Sequence, residues 1–122
     1  MFHEVTDADT AVTVGSGDVP VLSTPRLIAW MEAATVHASA PFTGTGQTTV
    51  GTAVRIEHLR AVRVGGRVDV IAESPAATGR RLTFLVRALG GSGELVAAGE
   101  IDRAIVDRQR FLAVALGPDT GR

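Results

Sequence analysis

Two hydrophobic periodicities divide this chain. Between residues 23 and 38, STPRLIAWMEAATVHA places Leu27, Ile28, Trp30, Met31, Ala33, Ala34 and Val36 on every side of a helix, while from Val50 onward apolar and polar residues alternate at the period of a strand. Ser23 or Thr24 can cap the helix, and Pro25 falls in its first turn, where a missing backbone N–H costs nothing. A helix apolar all round is normally buried, and about 14 residues is too short to span a membrane. The expectation is that the rest of the chain wraps around it.

The alternating runs supply the wrapping. Residues 2–6 read as a short opening strand, and residues 7–18 as an acidic connection leading through Val19, Pro20, Val21 and Leu22 to the helix. Pro and Gly mark residues 41–47 as a loop. In the strand that follows, strict alternation puts Val50, Thr52, Val54, Ile56 and His58 on one face and Gly51, Ala53, Arg55 and Glu57 on the other. Runs over 67–73, 80–89 and 94–107 complete the set, with Leu82, Phe84, Val86 and Ala88 facing inward and Gly90, Gly91, Ser92 and Gly93 forming a tight turn. The tail after Phe111 is expected to be loose. The result is an α+β domain over residues 1–122, an antiparallel meander curled around one central helix. That element order matches the hotdog fold, whose members pair into dimers with their sheets joined edge to edge.

Composition narrows the function classes. A formal net charge of -1 over 122 residues gives no general pull toward nucleic acid or an anionic membrane. All 12 basic residues are Arg and none is Lys, a bias that a GC-rich genome explains without any mechanism. The absence of Cys removes a disulfide framework, a zinc-thiolate site and a thiol nucleophile. With neither a basic nor an apolar leader segment, cytoplasmic residence is the default expectation.

Three side chains stand out as chemistry: Thr24 at the helix entrance, Glu32 in its apolar body and His58 on the inward face of the next strand. A carboxylate and an imidazole brought together in a cleft are the usual materials of general-base and nucleophilic catalysis near neutral pH. Each also has a structural reading: Thr24 as a helix cap, Glu32 as a solvent-facing charge, and His58 as a packing residue.

Four segments tip the balance. TPRLIAWMEAATVHASAPF, TTVGTAVRIEHLRAVRVGGRVDVIAE, GRRLTFLVRAL and GEIDRAIVDRQRF resemble the bacterial fluoroacetyl-CoA thioesterase family of hotdog proteins, over roughly residues 15 to 111. The resemblance implies Thr24, Glu32 and His58 as a catalytic trio, Gly51 as a backbone N–H near the thioester carbonyl, and Arg103 as a supporting charge. It implies hydrolysis of a short acyl-CoA thioester, with coenzyme A as part of the substrate and no metal or other cofactor. Two departures concern specificity. The fluoroacetyl enzyme gates its pocket with phenylalanines before the helix, where this chain has Gly15, Ser16, Gly17, Asp18 and Val19, and Ile101 stands where relatives commonly have His. Arg55, Arg60, Arg63, Arg67, Arg80 and Arg81 are candidate contacts for coenzyme A phosphates, which favour guanidinium groups.

Two other classes compete: a non-catalytic module that binds an acyl thioester or serves assembly, and an enoyl-thioester hydratase or dehydratase. Thiol release from a panel of acyl-CoA esters separates the first of these from a thioesterase. Geometry adds one more expectation. Thr24 and Glu32 are eight positions apart, roughly 12 Å along a straight helix. Either the chain bends at Pro25, or Thr24 of one subunit faces Glu32 and His58 of another, and the second arrangement is the one expected of a homodimer.

Overall fold

The computed structural model describes residues 1–117. In chain order the elements are β1 (Phe2–Glu4), a 3-10 turn (Asp7–Asp9), α1 (Ala11–Val14), α2 (Thr24–Ala38), a second 3-10 turn (Ala40–Phe42), β2 (Gln47–His58), β3 (Arg67–Ala72), β4 (Ala76–Thr78), β5 (Arg81–Gly90), β6 (Leu95–Asp107) and α3 (Arg108–Leu116). Among the described residues, no helix is long and apolar enough to cross a membrane.

Local chemistry sets the ends of α2. The Ser23 hydroxyl accepts the Arg26 N–H at 3.1 Å, and the Ser39 N–H closes the last turn on the Thr35 carbonyl at 2.9 Å. The helix packs against β2, β3, β5 and β6, so the sheet does curl around it. Its buried face is nevertheless narrower than its composition suggests. Leu27, Met31, Ala34 and Thr35 are buried, whereas Ala29, Ala33, Val36 and His37 are exposed. The sheet covers one side of the helix; on the other side the small apolar area of Ala29 and Ala33 makes their exposure cheap, while Val36 remains 52% exposed.

The five-strand path runs β1-β3-β5-β6-β2, antiparallel throughout, with the short β4 pairing the start of β5. The β5–β6 hairpin turns where the glycines predicted it, with Gly93 at φ 83. The expected simple meander is corrected at β2, which pairs with β6 rather than with β3. The connection from β2 to β3 is held at the entrance of α2, where the Leu22 N–H donates to the Val62 carbonyl at 2.7 Å and Val21 bridges Arg63. That anchor carries the chain across the sheet before β3 begins. Three further segments differ from the sequence reading. Residues 7–18 contain a 3-10 turn and α1, the latter capped by Thr10. β4 was not anticipated. The expected loose tail begins instead as α3, because the Asp107 carboxylate accepts the Arg110 N–H at 2.8 Å; residues 118–122 lie outside the described residues.

The inward set expected on β5 is correct. Leu82, Phe84, Val86 and Ala88 join Val68, Val70, Val96, Ala97 and Ile101 against Leu27, Met31 and Ala34 in one core, closed at the helix entrance by Val5 and Leu22. Strict alternation fails on β2, and a second register shift lies in the β5–β6 ladder between Ala88 and Leu89. The register against β6 shifts between Gly51 and Ala53, so Thr52 is an extra residue in the ladder. Gly51 pairs with Arg103, Val54 with Ile101, Ile56 with Gly99 and His58 with Ala97. Gly51 and His58 therefore share the concave face, although an odd separation of seven positions would put them on opposite faces of an unbroken strand.

Phe84 is fully buried at the centre of this core. Phe84→Ala is expected to cost about 3–5 kcal/mol of folding stability. Denaturant unfolding checks this through a lower midpoint at unchanged slope, and a loss below about 1 kcal/mol would contradict the packing described.

Candidate active site

The site residues fall into two clusters along the concave face of β2. The first stands at the entrance of α2. Because Ser23 takes the capping role, the Thr24 hydroxyl is free, and its Oγ1 lies 2.8 Å from His58 Nδ1. Nε2 of the same imidazole is buried and has no hydrogen-bond partner among the described residues. Beside the pair opens a groove of about 350 Å³ whose walls include Ser16, Gly17, Asp18, Val19 and Arg60. The segment that lacks aromatic residues is thus the wall nearest Thr24 and His58.

The second cluster lies two turns further along α2. Glu32 Oε2 is 3.6 Å from Arg103 Nη1, and Gly51 sits against both. A Cβ at position 51 would stand 2.6 Å from Glu32 Oε2 and 3.5 Å from Arg103 Nη1, so the missing side chain is what admits the carboxylate. Arg103 is only 6% exposed, and burial pushes its guanidinium pKa down from the ordinary value while the Glu32 carboxylate opposes that shift. Two of its other donors go to one residue of the edge strand: Nε donates to Thr49 Oγ1 at 2.8 Å and Nη2 to the Thr49 carbonyl at 3.2 Å. Sequence reasoning missed Thr49: alternation puts it on the same face as Gly51, but a Thr in a strand carries no signal of its own until the pairing of β2 with β6 sets it beside Arg103.

Within one chain the structure joins Thr24 to His58, and Glu32 to Gly51 and Arg103. It does not join the two clusters, which are separated by roughly 12 Å along α2 and roughly 20 Å along β2. The expectation that Thr24 of one subunit faces His58 of another is corrected, because the 2.8 Å contact is internal to the chain. No bend at Pro25 carries Thr24 back to Glu32, since α2 is continuous from Thr24 to Ala38.

The arginines also sort themselves. Arg55 is committed on the outer face of the sheet. Its Nη1 and Nη2 each donate to Asp102 at 3.1 Å and its Nε donates to Glu100 at 3.2 Å, so it is no candidate for a phosphate. That fork and the Thr83 hydroxyl hold the Asp102 carboxyl below its ordinary pKa. Arg67 lies over the Phe2 ring at 5.0 Å. Arg60 shares the groove with Thr24 and His58, whereas Arg80 lines a separate apolar groove with Arg110 and Phe111.

An antiparallel sheet wrapped on a central helix is the hotdog arrangement. The hot-dog-like protein of Thermanaerovibrio acidaminovorans shares the fold with a TM-score of 0.82 at 20% identity, covering 100% of this chain and 90% of that one. A crystal structure of a mutant fluoroacetyl-CoA-specific thioesterase in complex with fluoroacetate and CoA matches with a TM-score of 0.86 at 28% identity, covering 97% of this chain and 98% of the other. The fluoroacetyl-CoA thioesterase of Streptantibioticus cattleyicolor is 36% identical over 93 residues, which span 76% of this chain and 66% of that protein. The family model for fluoroacetyl-CoA-specific thioesterases matches residues 5–109, and the chain belongs to that family.

Gly51 tests the second cluster directly. The atom its Cβ would meet is the end of a flexible side chain, so Gly51→Ala should fold with little change in thermal midpoint while the carboxylate swings away. A crystal structure of the variant is expected to show Glu32 Oε2 beyond ion-pair distance of Arg103. An unmoved carboxylate would mean that the strand yields instead.

Proposed function

We propose that the protein hydrolyses short-chain acyl-CoA thioesters to the free acid and coenzyme A, at sites completed by the pairing of two copies. The observation that carries this reading is the division of the site residues into two clusters at opposite ends of the concave face of β2. That strand is the last of the sheet and pairs on one side only, which leaves its other edge to be covered. An antiparallel pairing of two β2 edges, centred near Arg55, sets His58 of one copy opposite Gly51 of the other. Thr24 and His58 from one chain then meet Glu32, Gly51 and Arg103 from its twin, and two sites form per dimer. The Arg55 side chains would approach each other at the centre, each neutralised by Asp102 and Glu100 of its own chain.

The residue types suit the reaction. Glu32 either attacks the thioester carbonyl or takes a proton from an attacking water; both routes form a tetrahedral intermediate whose oxyanion needs a donor, the role proposed for the Gly51 N–H. Thr24, fixed by His58, orients the acyl group or the water. Collapse of the intermediate breaks the C–S bond and releases the thiolate of coenzyme A, a stable leaving group that needs little acid assistance; on the water route this leaves the free acid, and on direct attack it leaves the acyl group on Glu32 as an anhydride, which a water then hydrolyses to the free acid and the regenerated carboxylate. Arg103 sets a positive charge 3.6 Å from the Glu32 carboxylate.

Glu32→Gln should keep the fold and lower hydrolysis by at least about 100-fold. Mixing Glu32→Gln subunits with Thr24→Ala subunits is expected to restore part of the activity, because heterodimers hold one intact site. No recovery despite demonstrated subunit exchange, or a monomer by light scattering with full activity, would confine the site to one chain.

Substrate range follows from the groove beside Thr24. With Ser16, Gly17, Asp18 and Val19 as its wall and no aromatic gate, it should not discriminate fluoroacetyl from other small acyl groups. Acetyl-, propionyl- and fluoroacetyl-CoA are expected to have kcat/KM values within about tenfold of one another, a spread equivalent to ~1.4 kcal/mol. A fluoroacetyl preference of several orders of magnitude would show that other residues rebuild the gate.

A further inference from the structure

We infer that Thr49 is a positioning residue for the reaction, acting through Arg103 on Glu32. The inference rests on the reading of Glu32 as the reacting carboxylate. The guanidinium of Arg103 is nearly sealed from water, so each of its N–H groups needs a partner inside the protein. Thr49 supplies two: the hydroxyl takes Nε–H at 2.8 Å and the backbone carbonyl takes Nη2–H at 3.2 Å. Because the guanidinium is planar, fixing those two nitrogens fixes the third, and Nη1 is thereby aimed at Glu32 Oε2, 3.6 Å away. At that distance the contact is a directed charge rather than a short hydrogen bond, so its strength depends on an orientation that Glu32 does not itself enforce. Thr49 does enforce it, from the same strand that supplies Gly51.

A hydroxyl is required for this and a branched carbon skeleton is not. Serine keeps the acceptor; valine keeps the shape and strands the Nε–H in a dry site. Thr49→Val is expected to lower kcat about tenfold with KM changed less than about twofold, since the residue does not touch substrate, and Thr49→Ser should restore turnover to within about twofold. The decisive reading is a double-mutant cycle with Arg103→Lys, whose ammonium cannot use the two Thr49 oxygens in the same fork. If Thr49 works through Arg103, adding Thr49→Val to Arg103→Lys changes kcat less than about twofold. Thr49→Ala is carried in parallel, so that a valine variant that fails to fold does not end the test.

Multiplicative losses in the cycle, a serine variant as impaired as valine, or folded alanine and valine variants with unaltered kcat would each overturn the inference. Glu32→Gln measured alongside separates the two claims. If it retains near-normal turnover, the reading of Glu32 itself fails; if it is inactive while the Thr49 and Arg103 losses multiply, only the role of Thr49 fails.

Discussion

The packing of one face of α2 into the concave sheet sets the position of every polar group of the site. Leu27, Met31 and Ala34 are held by Phe84, Leu82, Val70 and Ile101 in a continuous core, and that contact fixes the rotation of the helix about its axis. Once the rotation is fixed, Thr24 must project near the end of β2 and Glu32 near its start. The helix and the strand run in opposite senses, so the residue early in α2 meets the residue late in β2, as Thr24 meets His58 and Glu32 meets Gly51. Close packing transmits this placement because a core near crystal density does not let the helix turn to accommodate a misplaced carboxylate.

The register shift at Thr52 is the second constraint, and it is local. In an unbroken strand, Gly51 and His58 would point to opposite faces. The extra residue brings both to the concave side and lets Thr49 join them. At Gly99, which pairs with Ile56, an added Cβ would run into the Arg55 carbonyl, so that contact too depends on the absence of a side chain. Small residues at two points of one ladder thus give the edge strand both its bend and its room for Glu32.

These two constraints explain which features were legible in the sequence. The helix, the inward set of β5 and the β5–β6 turn each follow from a repeating pattern or a glycine cluster, and a pattern of that kind survives folding because burial rewards it everywhere along its length. Residue types and the likeness to the thioesterase family single out Thr24, Glu32 and His58; the structure joins Thr24 to His58 and holds Glu32 in a separate cluster with Gly51 and Arg103. The bulge was not legible, because a single inserted residue changes the phase of a strand without changing its composition; strict alternation therefore placed Gly51 on the wrong face. The pairing of β2 with β6 was hidden for a different reason, being decided by the anchor between Leu22 and Val62 at the far end of the helix. The caps at Thr10 and Asp107 are ordinary signals, and they were overlooked because α1 and α3 are too short to show a period.

A buried arginine opposite a partly exposed glutamate is an unequal pair. Arg103 has lost most of its contact with water, whereas the Glu32 side chain remains 39% exposed. Removing a guanidinium from water is unfavourable unless hydrogen bonds replace the lost solvation, and here Thr49 rather than Glu32 supplies the close ones. The carboxylate is thereby left with open lone pairs, a charge beside it and access to solvent, which is the condition a nucleophile or general base requires. In the proposed dimer that open side of Glu32 faces the Thr24 and His58 of the second copy, and substrate entering between them would displace the remaining water. Dividing the site in this way keeps the reacting carboxylate hydrated in the lone chain. Its desolvation, and with it the strengthening of every charge around the carbonyl, occurs only when the second chain and the thioester are both in place.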